Sequence, residues 1–203
     1  MEKIRDVLKK HGFTFKKSLG QNFLTDENLL DSIAEAAGIG KSYTVVEIGC
    51  GAGTLTRALS KLAGRVYAYE IDRDLLPVLA ETLAGCENTE VIFRDFSKEN
   101  LGELYREIGE YTVVANLPYY VTTPIVTRLL EEGAGVRGVC VMVQQEVAER
   151  FAAKEDTPEY GAITAAIALR GTAKIVKKVG RNMFYPAPNV DSAVVKIDFT
   201  ENA

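Results

Sequence analysis

Apolar and polar positions follow two rhythms along this chain. Short apolar runs of strand length occupy Thr44–Ile48, Arg65–Glu70, Thr89–Arg94, Thr112–Asn116 and Gly138–Gln144. Between them, apolar residues return every three or four positions over Thr54–Leu62, Asp72–Leu83, Leu101–Ile108 and Thr123–Glu131. That spacing predicts helices with one buried face. Strands and helices in alternation predict βαβ units and a parallel sheet. A run such as Val139–Val143, with no charged position, suits a strand covered on both faces. After Gln145 the order changes. A helix over Glu146–Ala153, a turn-rich patch at Asp156–Pro158 and a helix from Gly161 to Leu169 precede two more strands, Ala173–Val179 and Ser192–Phe199. Ahead of the first strand lie helical segments at Glu2–Lys10 and Glu27–Ala37, with Asp26 placed to cap the second and Gly38 to stop it.

Composition narrows the class without naming a function. The chain has 203 residues, 47% of them hydrophobic and 26% charged, which suits one globular domain and excludes collagen-like or largely disordered chains. No apolar run approaches the roughly 18 residues a membrane span needs, so no membrane partner is expected. Residues 1–10 lack the apolar stretch of a secretory signal. Three scattered cysteines (Cys50, Cys86, Cys140) then predict a reduced, cytoplasmic protein. A single histidine, His11, and no Cys/His cluster predict no metal site. Charge is unevenly spread. Residues 1–20 carry six basic and two acidic groups, and residues 160–190 carry five basic groups and no acid. Two basic segments on an acidic body are the footprint of a polyanion site, or simply solvated charge.

The chemistry gathers at strand ends. Glu47-Ile48-Gly49-Cys50-Gly51-Ala52-Gly53-Thr54 runs from a strand through glycines into a helix. In doubly wound folds a ligand sits in that crevice, at the carboxyl ends of the strands. The spacing G-x-G-x-G is not the G-x-G-x-x-G of dinucleotide sites, and an acid, Glu47, precedes it. A backbone crevice with an acid suits a cationic or zwitterionic ligand better than a pyrophosphate. Glu70 ends the second strand, where a carboxylate can take both hydroxyls of a ribose. Asp95 ends the third, where a carboxylate can accept from an adenine amine. Each also reads alone as a loop acid or a helix cap; beside the glycine loop they form a pattern.

The fourth strand ends Asn116-Leu117-Pro118-Tyr119. This tetrapeptide resembles motif IV of the S-adenosylmethionine-dependent amino-methyltransferases, which methylate planar exocyclic nitrogens. Leu19-Gly20-Gln21-Asn22-Phe23-Leu24 and Phe184-Tyr185-Pro186-Ala187-Pro188-Asn189-Val190-Asp191-Ser192-Ala193-Val194 resemble signatures of the KsgA-type ribosomal RNA adenine dimethyltransferases, as do Gln145–Arg150 and Tyr160-Gly161. The resemblance runs from about Lys17 to Lys196. The sister family, which methylates large-subunit RNA and confers macrolide resistance, usually has N-I-P-Y and lacks the Leu-Gly pair, so Leu19, Gly20 and Leu117 favour the first.

The resemblance implies a class I S-adenosylmethionine-dependent methyltransferase, a Rossmann-like α/β fold. Its sheet has seven strands in the order 3-2-1-4-5-7-6, the last-formed strand antiparallel. It implies a basic N-terminal segment, 1–25, carrying a cofactor-contacting motif, then a catalytic domain, 26–203, without the family's usual C-terminal helical domain. The implied function is N6,N6-dimethylation of two adjacent adenosines near the 3′ end of small-subunit ribosomal RNA, on an immature small subunit, by a monomer. A large-subunit RNA methyltransferase and a non-catalytic ribosome-assembly module are the rivals. Asn22, Leu24, Gly49, Gly51, Gly53, Glu70, Asp95 and Asn116 are implied to contact S-adenosylmethionine. Asn116 and Leu117 are implied to meet the target nitrogen, with Tyr119 and Phe184 on the two faces of the target adenine. With a pI near 5.2, phosphate contact falls to the two basic segments.

Overall fold

Seven strands join in one sheet whose parallel part brings five strand ends to the same edge. The structure, a computed structural model, describes residues 3–200; Glu2, with which the first helix was expected to begin, lies outside them. The sheet strands are β2 (Thr44–Ile48), β3 (Arg65–Tyr69), β4 (Thr89–Ile92), β5 (Tyr111–Asn116), β6 (Val136–Gln144), β7 (Gly171–Val179) and β9 (Ser192–Phe199). Their order is β4-β3-β2-β5-β6-β9-β7, with β9 antiparallel to both neighbours. This is the 3-2-1-4-5-7-6 sheet expected from the family resemblance. A separate ribbon pairs β1 (Phe23–Leu24) with β8 (Phe184–Tyr185). Two-residue strands carry no periodicity, and the pattern of the chain does not predict them.

The helices are α1 (Ile4–Lys10), α2 (Glu27–Ala36), α3 (Thr54–Leu62), α4 (Leu76–Thr82), α5 (Leu101–Ile108), α6 (Tyr119–Glu132), α7 (Gln145–Phe151) and α8 (Ala162–Arg170). Alternate residues of the central strands face opposite layers. Val113 and Ala115 of β5 pack with the layer of α5 to α8, whereas Val114 packs with that of α2 and α3. Tyr111–Ala115 are buried throughout, the doubly covered strand that an apolar run predicts. Asp26 caps α2, its side chain accepting from the Leu29 amide at 2.8 Å. Two boundaries differ from expectation. The predicted helix Asp72–Leu83 begins as a single turn, Arg73–Leu75, before α4. Asp72 caps that turn, and Pro77, lacking an N–H, starts α4 afresh. Helix α6 starts at Tyr119 rather than Thr123 and continues through Pro124. The N-terminal segment is no loose extension. Ile4, Val7 and Leu8 bury against Leu75, Val78 and Leu79. Among the described residues no helix is long and apolar enough to cross a membrane.

Candidate active site at the sheet's carboxyl edge

Parallel register sets the site. Ile48 lies opposite Tyr69 on one side and Ala115 on the other. The residues that follow, Gly49, Glu70 and Asn116, therefore emerge side by side. The edge is zipped by backbone bonds. The Tyr69 carbonyl accepts from Gly49 and Cys50, and the Ile92 carbonyl from the Glu70 amide. Above this edge opens a cavity of about 560 Å³, within the range of small-molecule sites.

Glu70 is 6% exposed and held by backbone alone. One carboxylate oxygen accepts from the Gly51 amide at 2.7 Å, the other from Ile71 at 2.8 Å and Asp72 at 2.9 Å. Burial pushes its pKa up while these amides pull it back. Three of its roughly four lone-pair sites are thus taken, and the one left, on the oxygen that Gly51 holds, is open to a ribose hydroxyl. Asp72 is in turn fixed by Lys16, 2.5 Å from its carboxylate, and by Gln21 at 2.7 Å. The N-terminal segment is thereby strapped across the loop that carries Glu70.

Glu47, beneath the glycine turn, is fully buried. Burial, and then the charge of Glu70, push its pKa up to about 8. Its Oε2 has no hydrogen-bond partner. The Thr56 hydroxyl lies near enough to moderate the shift without reaching hydrogen-bond geometry. A buried carboxyl with one unpartnered oxygen in a cavity wall fits the ammonium end of an amino-acid ligand, whose charge would favour its ionised form and supply the missing partner.

Gly51 sits at φ +55°, and a Cβ on it would lie 2.8 Å from the Phe23 ring. The turn must therefore be bare for the N-terminal segment to close over it. Gly49 and Gly51 line the cavity. Gly53 does not. A Cβ there would meet Leu79 and Leu83 of the α4 region. Its φ of +80° makes it the residue from which α3 starts.

Asp95 reaches the cavity rim with its side chain 44% exposed. Its Oδ1 accepts from the Ser97 amide at 3.0 Å and the Ser97 hydroxyl at 2.7 Å. The cap reading of this acid and its place at the rim are thus both observed.

Asn116 and Leu117 line the same cavity. Tyr119 is the first residue of α6, and its side chain lies outside the described residues. Phe184 is 4% exposed yet borders the cavity; it pairs with Leu24 across the β1–β8 ribbon. Asn22, whose amide donates to the Gly20 carbonyl at 3.0 Å, lines the cavity beside it, and it does not cap α2. The structure thus gathers every proposed site residue at one edge except Gly53 and the undescribed Tyr119 side chain.

The basic segments are less free than their charge suggests. Lys16 serves Asp72 and Asp74, Lys10 and His11 serve Glu81, and Arg5 lies 4.4 Å over the Tyr185 ring. In the second segment the Lys177 ammonium donates to the Ser32 hydroxyl, while Lys174 and Lys178 are exposed. Among the described residues no group of three His, Cys, Asp or Glu side chains could hold a metal ion.

The family description "Ribosomal RNA adenine dimethylase" matches residues 12–202. The chain belongs to the ribosomal RNA adenine dimethylase family. Within it, the chain is 48% identical over 197 residues to the ribosomal RNA small subunit methyltransferase A of Bacillus licheniformis, covering 95% of this chain and 68% of that protein. The chain spans about two thirds of the length of such curated relatives. A dimethyladenosine transferase from Plasmodium falciparum superposes with a TM-score of 0.77 at 31% identity, over 88% of this chain and 64% of that one. The 23S rRNA methyltransferase ErmE superposes with a TM-score of 0.74 at 32% identity, over 88% of this chain and 70% of its own. Relatives named for the small subunit and a neighbour named for 23S rRNA both match, so fold likeness alone does not separate the two substrates.

Proposed function

We propose that this chain transfers methyl groups from S-adenosylmethionine to the N6 atoms of two adjacent adenosines near the 3′ end of small-subunit ribosomal RNA, in the cytoplasm, on an immature subunit. The observation that carries the reading is the single cavity in which Asn116 and Leu117 meet Glu47, Glu70 and Asp95, with Phe184 as a wall. Relatives at 48% identity, named for the small subunit, favour that substrate over large-subunit RNA.

The residues divide the work. Glu70 takes the ribose hydroxyls, Glu47 faces the ammonium group, and Asp95 accepts from the adenine amine. Asn22, Leu24, Gly49 and Gly51 supply wall and backbone contact. The bound cofactor supplies a methyl group on a sulfonium sulfur. The N6 lone pair of the target adenine is delocalised into its ring and attacks poorly. The Asn116 side-chain oxygen and the Leu117 carbonyl accept the N6 hydrogens, which favours a tetrahedral nitrogen. The base must leave its stack to reach them, and the family resemblance assigns one of its faces to Tyr119 of motif IV and the other to Phe184. No general base of shifted pKa is needed, since the proton that N6 gives up at each methylation would leave to water; alignment and local dipoles lower the barrier. After one transfer a single hydrogen remains on N6, so the same acceptors serve the second. Labelled methyl transfer to undermethylated small subunits, with mapping of the modified bases, tests the reading. Label confined to large-subunit RNA, or absent, overturns it.

A further inference from the structure

Arg128 of α6 grips the turn that follows Asp95. Its guanidinium donates to the Ser97 carbonyl at 2.9 Å, to the Phe96 carbonyl at 3.2 Å and to the Glu99 carbonyl. Its Nε pairs with Glu132 at 3.2 Å. The three carbonyls belong to one short turn, Phe96–Lys98, and its exit. The Phe96 carbonyl also accepts from the Glu99 amide at 3.1 Å, and carbonyls at the C-terminal end of a helical turn attract a cation. Only a planar fork reaches three of them at once.

Ser97 is the link. Its carbonyl is held by Arg128, and its amide and hydroxyl hold Asp95 Oδ1 at 3.0 and 2.7 Å. A chain of hydrogen bonds therefore runs from α6 to the carboxylate at the cavity rim. Asp95 is otherwise weakly placed, being exposed and 3.8 Å from the Lys98 ammonium. Phe96, buried against Tyr69, anchors the turn to the core but does not fix the rotation of the carboxylate.

We infer that Arg128 is a positioning residue that sets Asp95 for recognition of the amine on the cofactor's adenine, and so determines base specificity. The inference rests on the assignment of Asp95 to that amine. It makes α6 serve both ends of the reaction, since its first turn follows motif IV and its Arg128 steadies the cofactor's base.

The test is calorimetry with S-adenosylhomocysteine and with its hypoxanthine analogue, in which a carbonyl replaces the amine. The wild-type chain should prefer the adenine ligand by about tenfold or more, as expected for a hydrogen bond to a charged acceptor. Arg128→Met should lower that preference about three- to tenfold. Arg128→Lys should not restore it, because one ammonium does not span three carbonyls; if the Met variant does not fold, the Lys variant carries the test. A general loss of stability weakens both ligands together and leaves the ratio unchanged. Asp95→Ala should abolish the preference, and adding Arg128→Met to it should change nothing further. If Asp95→Ala loses the preference while the Arg128 variants keep it, the inference alone falls. If Asp95→Ala keeps it, the assignment of Asp95 falls and the inference with it.

Discussion

The inner and outer halves of the cavity are built on different plans. The inner half, under the glycine turn, comes from neighbouring sequence: β2, β3 and the loops after them. Its two acids are buried; Glu70 is tied to three amides, while Oε2 of Glu47 has no partner. The outer half is assembled from segments far apart in the chain, at 19–24, 116–125 and 184. Its walls are aromatic, aliphatic and amide groups, with few hydrogen bonds among them. The acids proposed for the cofactor thus come from successive strands β2 to β4, with Asn22 and Leu24 added from the N-terminal segment, whereas the chemistry of transfer depends more fully on long-range assembly.

Separating the two halves by mutation gives the sharpest test. Asn116→Ala should lower kcat by about a hundredfold or more, the scale for losing one oriented polar group, while calorimetry shows cofactor affinity changed only a few-fold. Comparable losses in both would erase the distinction. Glu70→Ala attacks the inner half, and affinity should fall about 5–150-fold. It also strands three backbone amides, so the melting temperature should drop; an unchanged melt would contradict the hydrogen-bond set described above.

A pH series tests how dry the inner half is. Glu47 titrates near 8 when folded, against 4.5 as its ordinary value. The folded state therefore holds a proton that the unfolded state releases. Stability is full below about pH 4.5 and declines as pH rises toward 8, with a slope of at most ~1.4 kcal/mol per pH unit from this group. Glu47→Gln should remove that slope and melt higher than wild type at pH 8. A parallel slope in both proteins would mean water reaches this carboxylate. The smallest expected effect lies outside both halves. Lys174→Gln with Lys178→Gln should lower the salt dependence of RNA binding by up to about 2 in slope. Lys177→Gln should change it less, because Ser32 already holds that ammonium.

The same division governs what could be read from the chain. Strand ends and acids within the local unit were legible, because the alternation of elements fixes where Glu47, Glu70 and Asp95 emerge. β2, α3, α5 and β9 begin and end where the pattern puts them. The role of Gly53 was not legible, because a helix-entry glycine and a ligand-facing glycine look alike in sequence. The β1–β8 ribbon, the Lys16–Asp72 strap and Arg128 were not legible. Each joins residues 30 to 160 positions apart through side chains or very short pairings, and no local period records such contacts. The one available hint for Asp72 was its nearness to Glu70; Arg128 carried none.

The pairing of Leu24 with Phe184 has a consequence for synthesis. A chain growing from its N-terminus acquires the glycine turn and both strand-end acids early, by residue 97. The last wall of the cavity is laid only when residue 184 leaves the exit tunnel and closes back on residue 24. Loop closure over such a separation comes late and slowly. A nascent chain halted near residue 180 would thus carry nearly all the ligand-facing groups around an open-sided cleft. Tight cofactor capture then marks a chain that has finished folding.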